Sequence, residues 1–122
     1  MVNYRTRTDK YGNTLIEYEV LMGDDFTLSI SLSTNGETVD YGELSSVLFK
    51  ISDEEYNEVY SNNFEYHIES QRYLMTIPSE ETAKMSNELS YIYEIQVTMS
   101  DGTVITPTQS KIKFKQQITG GV

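Results

Sequence analysis

The sequence predicts an all-β fold: an antiparallel two-sheet sandwich of seven or eight short strands, with one short helix near residues 79–86. Three observations carry that expectation. Apolar and polar residues alternate with period two in segment after segment, most clearly where Phe26, Leu28, Ile30 and Leu32 interleave with Thr27, Ser29 and Ser31. Such a run places one greasy face on a core and one hydroxyl face in water, whereas a helix would scatter the same residues around its circumference. Turn-forming pairs, Asn35-Gly36 and Asp101-Gly102, punctuate the chain between these runs, because those residue types tolerate positive φ. Finally, 122 residues without a cysteine suit one domain whose core holds without disulfides or metal staples.

Taken in order, residues 1–13 are polar and end in the turn signal Lys10-Tyr11-Gly12-Asn13. They read as a polar arm or as the outer strand of a hairpin. The sandwich domain is expected over 14–116, followed by a tail at 117–122. Ile16, Tyr18 and Val20 alternate with Glu17 and Glu19, and Gly23 breaks that strand before the run from Phe26. After the Asn35-Gly36 turn and a lead-in at Val39-Asp40-Tyr41-Gly42, Val47, Phe49 and Ile51 face inward. Asp53-Glu54-Glu55 is loop-like, Val59-Tyr60 starts a short strand, and Phe64, Tyr66 and Ile68 alternate with Glu65, His67 and Glu69. Tyr73, Met75 and Ile77 form the next strand, closed by Pro78. Ser79 to Met85 reads as one or two helical turns with Ser79 as N-cap and Glu80 and Glu81 at the positive end. Tyr91, Tyr93, Ile95, Val97 and Met99 mark the longest strand, and Ser100-Asp101-Gly102-Thr103 turns it. On the return, Pro107 demands an edge or a bulge, and Ile112 and Phe114 alternate with Lys111, Lys113 and Lys115.

Charge is laid out unevenly. Residues 1–13 carry Arg5, Arg7 and Lys10 against Asp9, a net of +2; residues 107–122 carry three lysines, a net of +3; residues 14–106 therefore hold −15, for a total of −10. An acidic body of that kind repels nucleic acid and anionic lipid. The basic ends suit an acidic neighbour, with Tyr4, Arg5, Arg7, Lys111, Lys113 and Lys115 as candidate docking residues. The plainer reading makes the three lysines the solvent face of an edge strand, where lysine discourages strand-to-strand aggregation. Met1 to Arg7 lacks the apolar stretch of a secretory signal, and no run approaches the ~20 apolar residues of a membrane span. Folding in a reducing cytoplasm is expected from the cysteine count.

Little in the chain points to chemistry. His67, the single histidine, sits between Glu65 and Glu69 and reads as solvated; neither a catalytic triad nor a zinc site is expected. Asp24-Asp25 and Asp53-Glu54-Glu55 lack the spacing of a calcium loop and read as solvated acids. No phosphate cradle is present, so no cofactor, metal or catalytic residue is expected. Ten tyrosines and no tryptophan suit core edges and interfaces. Tyr91 or Tyr93 is placed to tie a strand start to the preceding loop; Tyr4, Tyr11, Tyr18 and Tyr41 are partner-facing candidates.

The order of these pieces resembles the immunoglobulin-like sandwich domains of tailed-phage virion proteins, among them baseplate upper protein N-terminal domains, head fibres and capsid decoration proteins. The resemblance rests on Gly23-Asp24-Asp25-Phe26-Thr27-Leu28, Asn35-Gly36-Glu37-Thr38-Val39-Asp40, Val47-Leu48-Phe49-Lys50-Ile51, Ile77-Pro78-Ser79-Glu80-Glu81-Thr82, and Tyr91-Ile92-Tyr93-Glu94-Ile95-Gln96-Val97 with Ser100-Asp101-Gly102-Thr103. It spans about residues 17 to 115 and departs from the family where Glu88-Leu89-Ser90 replaces the usual Gly. It implies a non-enzymatic module, in a virion assembled in a host cytoplasm, that docks in multiple copies on capsid, portal or baseplate subunits. The alternative is a carbohydrate- or protein-binding module of a bacterial surface protein.

Overall fold

The computed structural model describes residues 2–8, 14–34, 37–38 and 44–116. The Lys10–Asn13 turn, Asn35-Gly36, the Val39–Gly42 step, Tyr11, Tyr41 and the tail lie outside the described residues. In chain order the elements are β1 (Val2–Thr8), β2 (Thr14–Leu21), β3 (Phe26–Ile30), β4 (Ser33–Thr34), β5 (Glu37–Thr38), β6 (Leu44–Ser52), β7 (Glu58–Asn63), β8 (Glu65–His67), β9 (Arg72–Ile77), α1 (Ser79–Thr82), β10 (Tyr91–Met99) and β11 (Val104–Lys115). Two sheets hold the core, ordered β1-β2-β11-β10-β6-β7 and β3-β9-β8, and β4-β5 is a two-residue ladder. All pairings are antiparallel except β2 with β11, which run parallel. The molecule is thus an all-β sandwich.

Eleven strands among the described residues exceed the seven or eight expected. The surplus comes from the β1 hairpin arm, the β4-β5 ladder and a split segment. β7 runs on the six-stranded sheet, the chain bends at buried Phe64, and β8 continues on the other sheet. That crossing closes one side of the sandwich, as strands that change sheets do at corners.

Period-two burial fills the space between the layers. Val47, Phe49 and Ile51 of β6, Tyr93 of β10, and Ile112 and Phe114 of β11 face Phe26 of β3 and Tyr73, Met75 and Ile77 of β9, all buried. Each such side chain contributes roughly 1.5–3 kcal/mol by leaving water. The ring of Phe49 stacks on Tyr93 with centroids 5.4 Å apart and also meets Phe26 and Phe64. Tyr91 and Tyr93 spend their hydroxyls differently. Tyr91 Oη accepts the Ser86 N–H at 2.9 Å, five residues upstream, whereas Tyr93 Oη donates to the Ile16 carbonyl of β2 at 2.6 Å. Burial raises the Tyr93 pKa, and the Tyr18 and Glu17 charges add to the shift.

Three expectations are corrected. β11 is not an edge strand: it lies third in the large sheet, between β2 and β10. Ile68 is 78% exposed, because the chain leaves β8 there and turns through Gln71 at φ +55°. Ser79 is not the N-cap; Pro78 holds that position in extended conformation (ψ 157°), so Ser79 is already helical. The carboxylate that takes up the Ser79 N–H is Asp25 Oδ1, 2.7 Å away at the entry to β3. Asp53 lies at the surface as expected, where its Oδ1 also accepts the Glu55 and Asn57 N–H groups at 2.9 Å. Those bonds, the Asn57 backbone first, hold its pKa below the usual carboxylate range. Pro107 falls where β11 gains one residue on β10, between the pairs Ile95↔Thr108 and Val97↔Ile105, so its place is a bulge,.

One buried group lacks a partner. Ser110 is 6% exposed, and among the described residues nothing bonds its Oγ. Removing a buried, unpaired hydroxyl relieves its desolvation cost. Ser110→Ala is therefore expected to raise the unfolding free energy by about 1 kcal/mol, read as a higher urea midpoint; a lower midpoint contradicts this.

Candidate docking face

The parallel pairing of β2 with β11 brings the two basic ends of the chain to one side of the large sheet. Tyr4, Arg5 and Arg7 stand on β1; Lys111, Lys113 and Lys115 stand on β11; β2 separates them. In register, Arg5 lies opposite Glu17 and Asn3 opposite Glu19, while Lys113 lies beside Glu19 and Ile112 beside Tyr18. Lys115 Nζ meets Glu19 Oε2 at 2.7 Å, and Glu17, Tyr18, Glu19, Lys111 and Lys113 line a narrow crevice. In register, the glutamates of β2 therefore stand between the basic strands β1 and β11.

That interleaving extends across the sheet. Glu94 on β10 accepts from Gln96 Nε2 at 3.0 Å and Gln109 Nε2 at 2.8 Å, and lies opposite Lys50 of β6. Glu58 lies on β7, opposite Ser52. Strand by strand, the ladder reads Arg5/Arg7, Glu17/Glu19, Lys111/Lys113/Lys115, Glu94, Lys50, Glu58. Opposite charges lie directly across from each other at Arg5/Glu17, Glu19/Lys113 and Glu94/Lys50; such pairs contribute roughly 0.2–1 kcal/mol each and set register and partner choice more than strength. Sequence reasoning singled out the cations and missed Glu17 and Glu19, whose position between the two basic strands depends on a pairing of distant segments.

Exposure differs among the tyrosines. Tyr4 is 67% exposed, although its register partner Tyr18 is half-buried against Phe26 and Tyr93. Burial raises the Tyr18 pKa, with Tyr4 adding to it. Tyr4 and Thr6, two apart on one face of β1, are both exposed, so that row is open to solvent.

A second concavity lies over the three-stranded sheet, a cleft of about 430 Å³ lined by Thr27, Asn62, Asn63, Glu65, His67, Leu74, Met75 and Thr76. Asn62 Nδ2 donates to the Thr76 carbonyl at 2.9 Å, and the Thr27 and Thr76 hydroxyls bond at 2.9 Å. His67 is exposed and lies opposite Arg72 in register, and Arg72 is itself bonded to Ser29. Among the described residues, no group of three or more His, Asp or Glu side chains is placed to hold a metal ion. No helix among them is long and apolar enough to cross a membrane. Compared with protein-family models and with curated proteins, the chain matches no family model and no curated protein.

Proposed function

We propose that the chain is a non-enzymatic structural module of a tailed-phage virion: an immunoglobulin-like sandwich used as a capsid decoration, head-fibre or baseplate domain and docked on other virion proteins. The observation that carries this reading is strand order. β3-β9-β8 and β11-β10-β6 follow the spatial orders B-E-D and G-F-C of immunoglobulin-like sandwiches,. The Tyr91 hydroxyl on the Ser86 amide, at the start of the F-position strand, has the geometry of their tyrosine corner,. Two of the pieces that carry the family resemblance, Gly23–Leu28 and Ile77–Thr82, also touch directly, through the Asp25 and Thr82 side chains. The step from fold to virion rests on that resemblance, since a sandwich alone names no function.

The test is co-purification. The protein is expected in particles purified from a lysate, in multiple copies, and a charge-neutralised Lys111→Gln/Lys113→Gln protein is expected to fall in particle occupancy by roughly tenfold while its far-ultraviolet strand spectrum stays that of the parent. Protein dispersed in the lysate and missing from particles overturns the reading.

The cleft over the three-stranded sheet favours the second reading, a carbohydrate- or protein-binding module of a bacterial surface protein. Its amide, hydroxyl and carboxylate lining suits sugar hydroxyls. Saturable glycan binding that is lost in Asn63→Ala would replace the first reading with this one.

A further inference from the structure

We propose that β1 is the docking edge of the molecule, taking up an extended acidic segment of a partner protein as a seventh strand of the large sheet. This rests on the reading of the chain as a docking module and names the chemistry of the partner.

Edge geometry comes first. β1 pairs with β2 along all seven of its residues without a register shift, and among the described residues its other edge pairs with nothing. A straight edge of that length, free of Pro and Gly, is a template for another strand. The opposite edge of the same sheet is blunted: β7 carries a register shift at Ile51/Ser52 and then leaves for the other sheet. Bulges and sheet changes are how edges are closed to further pairing. β1 has neither.

Charge then selects the occupant. From β7 to β1 the sign of the ladder changes at every strand, and it ends on Arg5 and Arg7. The strand that continues it carries acids at alternate positions. β2 already shows one such match: Glu17 lies opposite Arg5, on a strand where Glu17 and Glu19 alternate with Ile16, Tyr18 and Val20. Apolar residues between the acids would cover the open row of Tyr4. A second copy of β1 fits poorly, because antiparallel self-pairing centred on Arg5 sets like charges opposite each other.

The probe is a short fluorescent peptide alternating glutamate with valine, titrated against the whole chain. Saturable binding is expected, weakened by salt and abolished by a central proline in the peptide, which removes a ladder donor. Arg7→Glu, whose register partner is the uncharged Leu15, is expected to weaken binding roughly tenfold without unfolding the protein. Amide exchange at alternate β1 residues is expected to slow in the complex. Absence of binding, or equal binding of the proline peptide, overturns the proposal. So do oligomers that the peptide does not disperse, which assign the edge to a second copy. Particle occupancy separates the two ideas: full occupancy without peptide binding sinks the strand addition alone, and peptide binding without occupancy sinks the virion reading alone.

Discussion

Replacing Phe49 with alanine is expected to lower the unfolding free energy by about 3–5 kcal/mol. The residue is fully buried in the middle of β6 and meets core rings from both sheets and from the crossing between them. Its ring stacks on Tyr93 of its own sheet at an interplanar angle of 18°, meets Phe26 of the opposing sheet at 6.2 Å, and meets Phe64 at the crossing between the sheets at 6.3 Å. Truncation removes the transfer energy of the ring and leaves a void that three rigid aromatic neighbours cannot collapse into. Because whole domains are stable by only about 5–15 kcal/mol, one such change consumes a large fraction. In urea the midpoint should fall steeply with an unchanged slope, since the surface exposed on unfolding is nearly the same. Phe49→Leu keeps most of the volume and is expected to cost about 1–2 kcal/mol. Val104→Ala, at a site 59% exposed, is expected to stay within about 0.5 kcal/mol of the parent. If Phe49→Ala tracks Val104→Ala, the two layers do not meet at this ring.

Phe49 is also an example of what the sequence makes legible. Burial on a strand is close to binary, so Val47, Phe49 and Ile51, then Tyr73, Met75 and Ile77, then Ile112 and Phe114 announce their inward face without reference to any partner,. Pairing is another matter. The lysines of β11 alternate in the same way whether the strand is an edge or a centre, because both have one wet face, and local pattern cannot separate the two. Only the parallel register of Ile112 with Tyr18 decides it. The candidate site suffers most from this. All six of its residues could be named from charge and aromaticity, yet the glutamate row between them follows from a pairing some ninety residues apart in sequence. Ile68 shows the opposite failure: alternation ran on by chance past the end of β8 at His67 into a turn that passes through Gln71 at positive φ. Turn chemistry without glycine is the weakest of the local signals.

The helical turn was legible in place but not in purpose, and its purpose supports the second large effect. Thr82→Val is expected to cost about 2–3 kcal/mol. Thr82 is completely buried, and its Oγ1 accepts the Gly23 N–H at 3.0 Å while donating to the Asp24 carbonyl at 2.7 Å. Its hydroxyl stands in for a strand pairing that the sharp turn at Gly23 (φ +89°) cannot make with the backbone. Valine keeps the shape and removes both bonds, leaving a donor and an acceptor in a partly buried turn. Asp25 makes the reciprocal contact to the Ser79 amide at 2.7 Å, so the turn and α1 hold each other in place. Thr82→Ser keeps the hydroxyl, loses one methyl and is expected to cost only about 1 kcal/mol. The order of the two variants carries the test: a residue that merely fills space would tolerate valine better than serine, whereas a residue that bonds two strand-entry backbone groups tolerates serine better. Asp25→Ala, which removes the carboxylate cap, is expected to cost about 0.5–2 kcal/mol. Combined with Thr82→Val it should cost less than the two changes added together, because either change alone loosens the same turn.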